Sequence, residues 1–421
     1  MTNAIHRTIE AVWKMEAARL IAGLTRIVRD VGLAEELAQD ALISALERWP
    51  EDGVPDNPGA WLMGTAKHRA IDRLRHNALA TRKHEQLGQE LADEEQRPPD
   101  LDEALDDPVG DDLLRLVFIA CHPILAPDAR VALTLRLLGG LSTAEIARAF
   151  IANETTIQQR IVRAKRTLSD AKVEFDVPRG EELDERLASV LEVVYFIFNE
   201  GYAATAGDDW MRPQLCEEAL RLGRILAGLA PNEPEVHGLV ALMELHASRA
   251  AARTGPNGEP ILLLDQKRAR WDQLLIRRGL AALERARSLG ELGPYGLQAA
   301  ISGCHARART AAATDWTQIA VYYRQLNERM PSPVVELNRA VAVAMAEGTA
   351  AGLALVDRLM SEPALQNYHL LPSVRGDFLF KLDRFDEARV EFERAASLTR
   401  NERERELLLS RAAACAKTSS T

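Results

Sequence analysis

LSTAEIARAFIANETTIQQRIVRAKRTL, residues 141–168, reads as two helices joined by a tight turn. Ser142 with Glu145 three positions later is a capping box, in which hydroxyl and carboxylate each satisfy a backbone N–H left free at a helix start. Asn153 supplies the cap of the next helix, and Ile157, Ile161, Ala164 and Leu168 then recur on one side as a buried stripe. Outward remain Glu154, Thr155, Thr156, Gln158, Gln159, Arg163 and Arg166. The opening turns of a recognition helix reach base edges in the major groove, while later basic residues grip phosphates. Thr155, Thr156, Gln158 and Gln159 fall in the first group; Arg160, Arg163, Lys165 and Arg166 suit phosphate or a protein partner. The bland alternative is a helical hairpin with no role at DNA.

Upstream, AWLMGTAKHRAIDRLRH, residues 60–76, is a basic helix. Leu62, Met63, Ala66, Ala70, Ile71 and Leu74 gather on one side at helical spacing, and Trp61, Thr65, His68, Arg69, Asp72, Arg75 and His76 lie opposite. A tryptophan on the polar face beside hydrogen-bonding and cationic groups is what reading an unpaired base requires: a stacking surface, with donors for base edges and phosphate. Lys67, Arg69, Arg73 and Arg75 would hold the backbone. Alternatively Trp61 closes the loop against Pro58 and the arginines are merely solvated. Asn57 followed by Pro58 starts this helix, after the breaker PEDGVPDNPG. Before it, residues 33–49 form a helix with an apolar stripe of Ala34, Ala38, Ala41, Leu42, Ala45, Leu46 and Trp49 and a polar face of Glu35, Glu36, Gln39, Asp40 and Glu47.

Composition bounds the rest. The 421 residues are too many for one domain at roughly 100–200 residues each. Aromatic content of 5% with abundant Ala, Leu, Glu and Arg favours helices throughout. A formal charge of −10 excludes a protein that coats nucleic acid indiscriminately, so any DNA contact is local. The charge is uneven: Lys67, Arg69, Arg73, Arg75, Arg82 and Lys83 face Asp72 alone, whereas residues 85–112 are acidic, carry Pro98, Pro99 and Pro108, and read as a flexible linker. By charge alone those acidic groups read as a plain solvated spacer. Cys121, Cys216, Cys304 and Cys415 are too far apart for CxxC pairs and read as reduced, packed thiols. No apolar run approaches the roughly 20 residues of a membrane span, and the N-terminus lacks a signal peptide's hydrophobic region, so a cytoplasmic protein without membrane attachment is expected. P-loop, HExxH and nucleophile-elbow motifs are missing, His122 reads as packed rather than ligating, and neither an enzyme nor a metal or other cofactor is expected.

After residue 180 the chain runs helix upon helix. In LPSVRGDFLFKLDRFDEARVEFERAASL, residues 371–398, Gly376, Leu379, Ala388, Phe392 and Ala395 meet the small and large positions of a tetratricopeptide unit, and the preceding unit fits through Ala342 and Ala354. Asn199, Glu200, Gly201 and Tyr202 form either a docking patch or, through Gly201, a helix C-cap.

DVGLAEELAQDALISALERW, NPGAWLMGTAKHRAIDRLRH and the helix-turn-helix together resemble regions 2 and 4 of bacterial extracytoplasmic-function sigma factors. VVYFIFNEGYAAT and GPYGLQAAISGCHA resemble the tail of the subgroup with a tetratricopeptide-like extension. The resemblance implies an all-α protein: region 2 in residues 1–84, a linker in 85–112, region 4 in 113–175 and a helical repeat domain in 181–421. It implies that Glu36, Gln39 and Asp40 dock on core RNA polymerase, that Asp56 and Asn57 join Trp61 in reading the minus-ten element of promoter DNA, and that the helix at 154–168 reads the minus-thirty-five element. A peptide segment of a regulatory protein is the expected partner of the repeats. Two rival readings stay open, a helix-turn-helix regulator with a sensor domain and a repeat scaffold.

Overall fold

The structure, a computed structural model, describes residues 2–85, 109–150, 152–203, 211–255, 259, 261–399 and 401–418. Every regular element among them is helical, as the composition predicted. Two compact units divide the chain, Met1–Val194 and Tyr195–Thr421.

The first unit opens with α1 (Thr2–Val28), α2 (Val31–Asp52) and α3 (Pro58–Glu85). Asp30 ends the corner after α1 by accepting the Leu33 N–H at 2.7 Å, the capping bond that starts α2. Ala34, Ala38, Ala41 and Ala45 are fully buried, and four methyl-sized side chains in a row let α1 and α3 lie close against α2. The stripe departs from expectation at its C-terminal end, where Leu46 is exposed while Trp49 carries the burial. Nor does α2 stop at residue 49. It runs through Pro50 to Asp52, and Gly53, at φ 88°, ends it by donating its N–H to the Trp49 carbonyl at 3.0 Å. Asn57 caps α3 as expected, its side-chain oxygen accepting from Ala60 N at 3.1 Å.

Helices α4 (Val109–Ala120), α5 (Pro127–Leu137), α6 (Thr143–Ala149) and α7 (Glu154–Asp170) follow. α4 begins four residues before the expected Leu113, because Asp112 is drawn into the fold by Arg115 at 2.9 Å and Arg26 at 3.1 Å. The capping box forms as read: Ser142 N and Oγ both donate to Glu145 Oε2 at 2.8 Å, and Glu145 N donates back at 3.2 Å. Asn153 accepts from Thr155 N at 2.9 Å, and Ile157, Ile161, Ala164 and Leu168 are buried.

α8 (Glu181–Tyr202) crosses the boundary between the units, which falls between Val194 and Tyr195. Its first half completes the core around α4 and α5. Ser189 Oγ donates to the Cys121 carbonyl at 2.5 Å and accepts from the buried Arg130, which also meets Glu192 at 3.1 Å.

The second unit continues through α9 (Pro213–Leu229), α10 (Pro234–Ala247), α11 (Gln273–Leu289), α12 (Pro294–Arg307), α13 (Trp316–Arg329), α14 (Pro333–Glu347), α15 (Thr349–Leu359), α16 (Leu370–Lys381), α17 (Phe385–Leu398) and α18 (Glu402–Thr418). Mostly, each helix packs on its neighbour in sequence, the pattern of stacked hairpins. Gly376 of α16 lies where a Cβ would sit 3.0 Å from the Phe392 ring, which explains the small-against-large spacing read in the sequence. The preceding hairpin corrects that reading: Ala354 is exposed, and the small residue against α14 is Gly352. Gly201 is not a helix C-cap either. It is helical, and a Cβ there would fall 2.6 Å from Cys216 N, so its role is close approach of the α9 start. All four cysteines are free thiols.

Candidate nucleic-acid interface

Trp61 sits in the first turn of α3, half-buried, in contact with Trp49. The ring centroids are 5.4 Å apart at an interplanar angle of 69°, the edge-to-face geometry that aromatic quadrupoles prefer. Trp49 is only 2% exposed and so provides a rigid floor beneath a partly free indole. Leu62, Ala66 and Ala70 are buried on the opposite side of α3, with Met63, Ile71 and Leu74 half-buried.

Of the other residues assigned to this surface, Asp56, Asn57, His68, Arg69, Arg73 and Arg75 are exposed, and Thr65 and Lys67 half-exposed. Arg69 does not simply point to solvent: it donates to Ser44 Oγ at 2.8 Å and pairs with Asp40 at 3.3 Å. Residues assigned from the sequence to separate DNA and polymerase surfaces are thus joined across α2 and α3. The side chains of His76, Arg82 and Lys83, and the acidic stretch from residue 86 to 108, lie outside the described residues.

On α7, Thr155, Thr156, Gln158, Gln159 and Arg163 are exposed along one face. Glu154 accepts from Thr143 Oγ1 at 3.1 Å, which turns its carboxylate toward the start of α6. Arg160 pairs with Asp128 at 3.2 Å, and Arg166 with Asp170 at 3.4 Å; both are exposed pairs that a phosphate can compete with. Lys165 differs. Its ammonium turns away from that face and meets Glu35 of α2.

On α2, Glu36 and Asp40 are exposed and Gln39 half-buried. Glu35, which helical spacing put on the same polar face, is buried at 3% exposure. Its signal was absent from the sequence, because its partners Arg136 and Lys165 come from 101 residues or more away.

Comparison with known proteins adds independent evidence. Residues 13–79 match the Sigma-70 region 2 family and residues 115–168 the Sigma-70 region 4 family. The ECF RNA polymerase sigma factor SigK of Mycobacterium sp. (strain KMS) is 30% identical over 155 residues, covering 36% of this chain and 76% of that one. The chain belongs to the ECF RNA polymerase sigma factors. A probable ECF RNA polymerase sigma factor, SigI of Mycobacterium tuberculosis, is 28% identical over 172 residues, 41% of this sigma factor and 58% of its own length. An uncharacterized protein of Rhizobium meliloti is 42% identical over 383 residues, 90% of this chain and 89% of that one, and so shares the C-terminal extension. Residues 186–287 match a family of unknown function, DUF6596. No solved structure matches. In this ECF sigma factor, region 2 therefore takes in α2 and most of α1 and α3, and region 4 the second half of α4 with α5, α6 and nearly all of α7. The DUF6596 match opens at Arg186, inside the half of α8 that packs on region 4. No helix among the described residues is long and apolar enough to cross a membrane.

Proposed function

We propose that this sigma factor acts in the cytoplasm as a non-catalytic subunit of RNA polymerase, carrying core enzyme to bipartite promoters and helping to melt them. The supported indole of Trp61 carries the reading: it offers a flat face for an unstacked base at the minus-ten element, with Asp56, Asn57 and Thr65 beside it for base edges. Lys67, His68, Arg69, Arg73 and Arg75 line the path of the displaced strand's phosphates. The exposed row Thr155, Thr156, Gln158 and Gln159 reads the minus-thirty-five element, and Arg160, Arg163 and Arg166 hold its backbone, joined by Lys165 once it leaves Glu35. Glu36, Gln39 and Asp40 dock on a basic surface of core polymerase, where opposite charge sets register and speeds encounter. The helical extension is regulatory, its stacked hairpins offering a surface for a protein segment.

Run-off transcription tests this directly. Purified chain plus core RNA polymerase should initiate at a discrete start on the promoter of a regulated gene. A chain that binds that DNA but yields no specific transcript with core enzyme is a helix-turn-helix regulator instead.

A further inference from the structure

We propose that the free sigma factor is held shut by an ionic latch centred on Glu35, which ties α2 to α5 and α7 and must release before core polymerase is engaged. Glu35 Oε1 accepts from Arg136 Nε of α5 at 2.6 Å and from Gln39 Nε2 at 2.6 Å, and its other oxygen meets the Lys165 ammonium of α7. Arg136 is braced from behind by a bond to the Leu141 carbonyl at 3.1 Å. One carboxylate thus joins region 2 to two helices of region 4.

Two further polar contacts lie along the same seam. Ser169 of α7 donates to Asp30 Oδ2 at 3.1 Å, while Asp30 Oδ1 caps α2. Arg26 of α1 meets Asp112 of α4, a buried carboxylate, where α1 packs on α4. Beside the latch a cavity of about 30 Å³, room for a single water, is lined by Thr25, Asp30, Lys165 and Ser169. The seam also has an apolar part, since α1 packs on α4 and Val31, Ile119 and Leu168 share the cavity lining, but its charged contacts recover hydration on opening and so lower the cost of parting.

The latch draws on both working surfaces. Gln39 belongs to the set that docks on polymerase and Lys165 to the set that grips the minus-thirty-five backbone, an assignment that rests on the function proposed above. While Glu35 holds both, neither is free for its partner, and apparent affinity for core polymerase falls by the fraction of molecules open.

The test uses the full chain. Spin labels carried on non-natural residues at the exposed positions Glu47 and Asp170 report the separation of α2 and α7. Glu35→Ala should shift that distance distribution to longer values and tighten binding to core RNA polymerase about tenfold. A second variant, Asp30→Cys with Ser169→Cys, should bind core polymerase at least about tenfold more weakly when oxidised and recover on reduction. An unchanged distance distribution in Glu35→Ala, or equal affinity of the oxidised and reduced double variant, overturns the latch. If distances shift as expected but no form binds core polymerase, the latch stands as a conformational lock and the assignment of the polymerase surface falls.

Discussion

Arg186 donates a hydrogen bond to the Phe118 carbonyl at 3.1 Å and lays its guanidinium over the same residue's ring, 5.9 Å from the centroid. Arg186 lies beyond region 4, in the helix that leads into the extension, yet it seals the core of region 4. A helix that supplies buried hydrogen bonds to the preceding domain is a structural part of that domain, whatever the rest of the extension does.

Ser189→Ala in the full chain should therefore destabilise the first unit by about 2 kcal/mol, because it strands the Arg130 guanidinium and the Cys121 carbonyl in a buried setting. Urea denaturation followed by circular dichroism measures this. Cutting the chain after residue 178 should abolish cooperative unfolding of region 4, while a cut after residue 203 should preserve it. Equal melting of the two truncated forms would refute the role assigned to α8.

Trp61→Ala should lower promoter opening by about tenfold to a hundredfold, the loss of one base-stacking contact, with little effect on binding to duplex minus-thirty-five DNA. Trp61→Tyr should retain most of the activity. Permanganate reactivity of minus-ten thymines reads out the difference. Trp49→Ala should instead cost about 3–5 kcal/mol of folding stability, since it removes the buried floor on which Trp61 rests.

On α7, exposed Gln159 and Arg163 should separate specificity from affinity. Gln159→Ala should relax base preference at one or two positions of the minus-thirty-five element. Arg163→Ala should weaken binding to all sequences alike and reduce the slope of log affinity against log salt by about one. Filter binding across a salt series, on matched and scrambled DNA, distinguishes the two; a uniform loss from both substitutions would contradict the division of roles.

The second unit should lose stability in mild acid. Burial, with Arg249 and Arg268 nearby, pushes the His305 imidazole down to about 3, and burial with Arg249 and Arg253 also lowers His246. A histidine whose folded pKa lies below its unfolded one opposes protonation in the fold, so its contribution is intact above about pH 6.5 and declines as pH falls toward the folded value. For His305 the loss at pH 5 is about 2 kcal/mol. Thermal melts at pH 8 and pH 5 should show it, and His305→Gln should shrink the difference between them.

How far the sequence reaches can be followed residue by residue. The helix-turn-helix was legible because its determinants are local: Ser142 and Glu145, Asn153 and Thr155, Asn57 and Ala60 all bond within three residues, and the α7 stripe repeats at helical period. The charged seam was invisible. Glu35 looks like one more acid on a solvated face until Arg136 and Lys165 arrive from distant helices. Gly201 likewise resembles a cap until the start of α9 is seen to press on it.

From its sequence alone, then, this chain declares its helices, their caps and the residue types it can present to DNA, because those follow from interactions within a turn or two of backbone. Only tertiary structure decides which charges are spent inside the molecule and which helix completes which core. Burial depends on neighbours more than a hundred residues away, and helical periodicity carries no record of them.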